Sequence, residues 1–379
     1  MIKKIIKTLL QTVLRIFPCE NIIMFESVPD FADNTMPVFE EMLRRGLNQK
    51  YKMVWWVNEV TDDLPKFANV SYIDEKTALN RRIFQWYRFR AKCFICCNRI
   101  FEKKLDKQTT IYISHGTTVK STIQYYALPE ELIDYALIAS EPSKQAMAYQ
   151  MGISEEKVVA LGYPRNDVMG YVNKDLHAYF EQDYKKIIVW YPTYRQHKNA
   201  NMICAKNALP ILHDTEQAIR LNEIAKAQGV LLVVKPHFAQ DVSYIKDYNL
   251  SNILFIDDSF FRKNNLTSYE FVASCDALIT DYSSIYYDYL LCDKPVAVVW
   301  EDIEEYRKNP GFGVDVDEKM KCASKIYTLE EFEEFLKDVA IGNDIYKDLR
   351  KEINAWANYS TDGKNAERVT DFIIDKAKL

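Results

Sequence analysis

Two parallel-sheet α/β domains, whose strand C-termini would share a cleft if the domains face one another, are what this sequence predicts, and three observations predict the α/β class and the division. Short apolar runs rich in β-branched and aromatic residues alternate with helical stretches along most of the chain. The runs are continuously apolar, as expected of strands buried on both faces of a parallel sheet flanked by helices. The alternation breaks once, over residues 170–186, and restarts, so that 379 residues divide into two units of ordinary domain size.

The elements follow in order. Residues 1–17, MIKKIIKTLLQTVLRIF, place Ile2, Ile5, Ile6, Leu9, Val13 and Ile16 on one helical face and Lys3, Lys4, Lys7 and Arg15 off it, before Pro18 stops the helix. A span needs about 20 mostly apolar residues, and no small-residue cleavage site follows as a signal peptide requires. Residues 1–18 are therefore either an in-plane anchor on an anionic cytoplasmic leaflet or a helix packed on the protein; four cations and no acid favour the anchor, and with it a peripheral position on the cytoplasmic face of the membrane. Over 19–170 the predicted strands are IIMFES (22–27), YKMVWWV (51–57), AKCFICC (91–97), TTIYISH (109–115), YALIAS (135–140) and VVALGY (158–163). The polar stretch GYVNKDLHAYFEQDYKK (170–186) predicts a helix. Over 185–345 come IIVWYPTY (187–194), VLLVVKPH (230–237), NILFID (252–257), DALIT (276–280) and PVAVVW (295–300). From about 329 the pattern is helical, opening on a Thr328-x-x-Glu331 capping signature, and the helices of 346–379 are placed to cross back to the first domain.

Composition removes several functions. Lys plus Arg is 49 against 54 Asp plus Glu, a net charge of −5, so no nucleic-acid partner is signalled by bulk basicity. With 10 Gly and 12 Pro, glycine-rich phosphate loops are disfavoured, and neither a dinucleotide fingerprint nor a P-loop occurs. Cys93, Cys96 and Cys97 lie in an apolar run that reads as a buried strand, and the five histidines are scattered singly, so no metal or other cofactor is expected. Reduced thiols fit this cysteine usage.

Chemistry-bearing residues gather where strands end. Ser114-His115-Gly116-Thr117 sets a histidine at a strand terminus, as a general base or as a local backbone cap. Lys235-Pro236-His237 repeats the arrangement in the second domain. Thr280-Asp281-Tyr282-Ser283-Ser284 lies between a strand and a helical run, suited to phosphate or simply to capping the helix. Pro192-Thr193-Tyr194-Arg195 supplies a guanidinium for a diphosphate oxygen pair or for a surface salt bridge, and Gly162 to Asp167, with Arg165 and Asn166, reads as a turn. The pairs Asp257-Asp258 and Asp315-x-Asp317 are candidate metal-binding carboxylates, of which Asp315 to Glu318 reads rather as a solvated loop.

In this order, together with Tyr306-Arg307 and Gly311-Phe312, these motifs resemble the CDP-glycerol glycerophosphotransferases of teichoic acid and capsule synthesis over roughly residues 20–345. The resemblance implies two facing Rossmann-like domains of the GT-B type, the second holding the CDP-glycerol donor and the first a lipid-linked glycan or polyol-phosphate acceptor. It implies His115 as the base, His237, Thr280, Ser283 and Ser284 as phosphate ligands, and Arg195 and Lys235 as electrostatic partners, with Asp281, Gly116, Thr117, Arg165 and Asn166 in the substrate site. Thr117-Thr118-Val119-Lys120 and Pro192-Thr193-Tyr194-Arg195 are mild departures from the family pattern, and the stretch Asp315–Ser324 departs further. The implied reaction is attack of an acceptor hydroxyl on the β-phosphorus of CDP-glycerol with release of CMP. The alternatives are a CDP-ribitol or other nucleotide-sugar donor on the same fold, and a non-catalytic polymer-binding scaffold.

Overall fold

The computed structural model describes residues 18–121, 123, 127–193, 196–197, 202–203, 209–236, 242–246, 248 and 250–379, so the basic amphipathic segment 1–17 lies outside the described residues. The first sheet contains β1 (Ile22–Glu26), β2 (Lys52–Trp56), β3 (Val70–Ile73), β4 (Cys93–Cys96), β5 (Thr109–Ile113), β6 (Tyr135–Ile138) and β7 (Val158–Ala160), in the order β3-β2-β1-β4-β5-β6-β7. Every pairing in it is parallel. The continuous hydrophobicity of β1 and β4 has its cause here, since all nine of their residues are buried.

After β8 (Lys186–Trp190) comes the small antiparallel pair β9 (Gln196–His197) and β10 (Met202–Ile203). The second sheet adds β11 (Val230–Val234), β12 (Ile253–Phe255), β13 (Ala277–Thr280), β14 (Val296–Val299) and β15 (Ser324–Ile326) to β8, in the order β12-β11-β8-β13-β14-β15, again all parallel. In each sheet the order reverses at one place, between β1 and β4 and between β8 and β13. Crevices open at the carboxyl ends of strands at such switch points, which makes these two strand ends the natural ligand sites.

Every strand run read from the sequence forms, shortened by a few residues. Four strands were not anticipated: the two-residue pair β9 and β10, and β3 and β15, which lie at sheet edges with one hydrogen-bonded neighbour and only partial burial, so that their sequences need not be apolar throughout. The stretch 170–186 is not the expected helix: it is an irregular strap with one 3-10 turn, Leu176–Tyr179, whose start Asp175 caps by accepting the His177 N–H. Side-chain packing outweighs the local pattern, because Tyr179, Phe180 and Tyr184 dock on the core under the second sheet and Phe180 stacks on Phe260 at 6.0 Å.

Thr328 and Glu331 form the reciprocal capping box that the sequence signals, opening the helix Leu329–Ile341. This helix covers one face of the second sheet beside the helix Thr215–Gln228. The helix Lys347–Ala357 contributes Ile353 and Ala357 to the core on the opposite face. The helix Asn365–Ala377 returns to the first sheet, where Val369, Ile373 and Ala377 join the cluster of Phe25, Phe39, Trp55 and Ile113. Its amino end is held by Asp167, which accepts the N–H groups of Asn365 at 2.7 Å and Ala366 at 2.8 Å.

Candidate active site

His115 lies two residues beyond β5, which is separated from the switch point of the first sheet only by β4. The floor beneath it is set by Glu26 at the end of β1, completely buried, whose Oε2 accepts the N–H groups of Cys97, Asn98 and Arg99 at 2.9–3.3 Å. That bond set fixes the loop after β4, so that the Cys97 carbonyl lies 3.3 Å from His115 Nδ1, the same distance as the Tyr112 hydroxyl. A carbonyl can only accept, so a bond to Cys97 requires the imidazole proton on Nδ1, the tautomer in which the Nε2 lone pair is the basic site of this exposed side chain.

Gly116 carries the chain into the second domain at close quarters. Its φ is +134°, and a Cβ there would meet Ser284 Oγ at 2.4 Å and Arg165 Nη2 at 2.9 Å. Thr117 is buried and donates to the Ala357 carbonyl at 3.4 Å. The chain then pairs with the Gly311-Phe312 motif: Ser121 N–H donates to the Gly311 carbonyl at 3.0 Å and Gly313 N–H to the Val119 carbonyl at 2.8 Å. Beneath that pairing, the rings of Tyr282, Tyr306 and Phe312 pack with centroids 4.1–5.5 Å apart.

From the second domain, Ser283 and Ser284 reach the same place. Ser284 starts the short helix Ile285–Tyr289, both serines are half-buried, and neither hydroxyl has a partner among the described residues. Thr280 and Asp281, expected as substrate ligands, are engaged otherwise. Thr280 donates to the Tyr191 carbonyl at 2.8 Å, while buried Asp281 accepts the Thr193 N–H at 2.7 Å and also the Thr193 hydroxyl. Together they fasten the loop after β8 across the switch point, a structural use of the motif that local sequence does not reveal. Lys235 lies 3.1 Å from Asp258 and 5.7 Å from the Tyr191 ring centre. His237 and Arg195 lie outside the described residues.

Arg165 and Asn166 are likewise not open to a ligand as expected. Arg165 is buried, its Nη1 2.6 Å from Asp33 and its Nη2 2.8 Å from Asp288; Asn166 donates to the other Asp288 oxygen at 2.8 Å and Tyr269 to the first at 2.9 Å. Burial opposes the guanidinium charge, but Asp288 and Asp33 outweigh it and hold the group protonated. This ion cluster joins the two domains. Asp33, Asn34 and Asp288 were not anticipated; the available signal for Asp288 was a lone carboxylate in the aromatic run IYYDYLLC.

The remaining acids are structural. Asp257 caps the helix Asp258–Lys263, Asp315 caps Val316–Lys319, and Asp317 pairs with Arg307 at 2.7 Å. Cys93, Cys96 and Cys97 are buried free thiols, and burial pushes their ionisation up, which suits packing and not nucleophilic chemistry.

Residues 9–375 match the family model described as CDP-glycerol:poly(glycerophosphate) glycerophosphotransferase. The chain is 25% identical over 335 residues to a teichoic acid poly(glycerol phosphate) polymerase of Bacillus spizizenii, covering 80% of this chain and 79% of the relative. It is 27% identical over 261 residues to a teichoic acid ribitol-phosphate primase of the same organism, covering 63% of this chain and 59% of that one. Among solved structures, the wall teichoic acid polymerase TagF superposes with a TM-score of 0.71 at 21% identity, covering 94% of this chain and 89% of its own, a likeness that shows a common fold.

Proposed function

Because this chain belongs to the CDP-glycerol:poly(glycerophosphate) glycerophosphotransferase family, we propose that it transfers glycerol phosphate from CDP-glycerol to a hydroxyl of a lipid-linked or polymeric acceptor in teichoic acid synthesis, with His115 as the base. The observation that carries the residue assignment is the meeting at Gly116: the loop bearing His115 touches Ser284 of the hydroxyl turn, so a base from one domain and uncommitted donors from the other border one space. The first domain then receives the acceptor and the second the donor.

In the reaction, the acceptor oxygen attacks the β-phosphorus of CDP-glycerol and its proton passes to His115 Nε2. The bond from that phosphorus to the bridging oxygen breaks, and CMP leaves with the bond pair. Phosphoryl transfer asks mainly for positioning and charge neutralisation. Ser283 and Ser284 donate to the diphosphate oxygens, and Lys235 contributes charge once the donor competes with Asp258. General base catalysis is worth roughly 10²–10⁴-fold, so His115→Ala is expected to lower kcat by about 10²-fold or more while CDP-glycerol binding changes little. CMP release by the purified protein, with CDP-glycerol and a glycerol-phosphate acceptor analogue, is the measurement. Near-normal turnover of the variant would remove His115 from the base role.

The likeness to a ribitol-phosphate primase supports a second reading, CDP-ribitol as donor, on the same site. Parallel assays with the two donors separate them by their ratio of kcat/KM. CMP release from neither donor would favour the scaffold alternative. Among the described residues no helix is long and apolar enough to cross a membrane. Residues 1–17, with four cations and no acid, support attachment to an anionic leaflet where a lipid-linked acceptor resides.

A further inference from the structure

Asn34 precedes the helix Thr35–Arg44, the position from which an asparagine side chain ordinarily accepts an N–H of the first turn. It makes no such bond. Completely buried, it donates instead from Nδ2 to the Ser114 carbonyl at 2.7 Å, and its Oδ1 accepts the Arg165 N–H at 3.1 Å. A single amide thereby ties together the loops that leave β1, β5 and β7. The carbonyl it holds belongs to the peptide that leads into His115.

The surrounding segment is bent to deliver this contact. Phe31 and Asp33 have φ of +57° and +55°, in the left-handed region that non-glycine residues enter only when neighbouring contacts over-determine it. Asp33 accepts its neighbour's N–H at 2.8 Å and pairs with Arg165, whose other nitrogen pairs with Asp288 of the second domain. A continuous bonded path therefore runs from the backbone of His115 through Asn34 and Arg165 to the helix that begins at Ser284.

We propose that Asn34 is a positioning residue for His115, fixing where the imidazole stands relative to the serine turn; the inference rests on the reading of His115 as the base. The site requires an amide. An aspartate keeps the acceptor for the Arg165 N–H but turns an oxygen toward the Ser114 carbonyl, and the attraction holding that peptide becomes repulsion.

The test uses the full chain with Asn34→Asp, and with Asn34→Ser as a smaller replacement should the first variant fold poorly. Misplacement of a catalytic group by about 1 Å costs roughly 10²-fold, so kcat is expected to fall by roughly 10- to 100-fold with KM for CDP-glycerol within about twofold of the parent. Because Asn34 acts through His115, Asn34→Asp combined with His115→Ala should turn over no more slowly than His115→Ala alone. A double variant slowed by the product of the two single effects would overturn the inference, as would an unchanged kcat in the folded single variant. The ¹⁵N shifts of the His115 imidazole provide a readout independent of catalysis. They should move in Asn34→Asp, and unmoved shifts would overturn the positioning role, whereas full activity of His115→Ala with moved shifts would overturn only the base assignment.

Discussion

At Gly116 a backbone that only glycine adopts readily lies against the Ser284 side chain of the other domain. Gly116→Ala must therefore either push the serine turn away or distort the His115 loop. Both raise the energy of the folded state, by about 1–3 kcal/mol from overpacking and backbone strain. The expected outcome is a matching loss in denaturant-measured stability together with a fall in kcat of about tenfold or more as the two domains' groups separate. Full activity at unchanged stability would mean that the contact is not maintained in solution. The meeting of Gly116 with Ser284 joins two stretches that strand-end position and local residue type had each singled out in the sequence. The contacts that Thr280, Asp281, Arg165 and Asn166 make were not legible, since their partners Tyr191, Thr193, Asp33 and Asp288 lie between 88 and 132 residues away. Asn34 was hidden for a related reason: before a helix an asparagine reads as a cap, and only the fold shows that its side chain turns elsewhere.

The helix Asn365–Ala377 is capped by Asp167, a carboxylate whose environment makes its charge a variable. Burial raises the Asp167 pKa from 3.8 to about 6, against the opposing effect of the Ala366 and Asn365 N–H groups. A pKa higher in the folded than in the unfolded chain means that folding favours the protonated acid. Its contribution is complete below about pH 3.8 and is lost as pH rises through about 6, up to about 3 kcal/mol in all at 1.36 kcal/mol per unit. Denaturant unfolding from pH 4 to pH 7 should show the parent losing stability relative to Asp167→Asn as pH rises; parallel curves for the two proteins would refute it. At this scale the strands of both sheets could be read from continuous apolar runs, because burial on both faces leaves that signature. The edge strands β3 and β15 could not, being only partly covered. The strap over 170–186 was misread because Tyr179, Phe180 and Tyr184 are anchored by a core that forms from distant residues.

For the molecule as a whole, attachment and catalysis are predicted to be separable. Each Lys or Arg near an anionic leaflet is worth about 1 kcal/mol at modest salt, so the four cations of residues 1–17 add a salt-sensitive attraction to burial of their apolar stripe. Deleting residues 2–17 should abolish sedimentation with phosphatidylserine-containing vesicles and leave transfer to a soluble acceptor analogue nearly intact. Retained vesicle binding, or a sharp drop in melting temperature, would favour a helix packed on the protein. The return of the helix Asn365–Ala377 to the first sheet has a different consequence, in the order of synthesis. Val369, Ile373 and Ala377 emerge from the ribosome only after the whole second sheet has been made, yet they complete a core whose other members, Phe25 and Trp55 among them, emerged hundreds of residues earlier. The half of the protein that is translated first must wait, with one face of its sheet covered only in part by the helix Thr35–Arg44, for the half translated second to pass. Cutting the gene at the strap would not yield two self-sufficient proteins, because the first would lack its closing layer and the second would carry it unused.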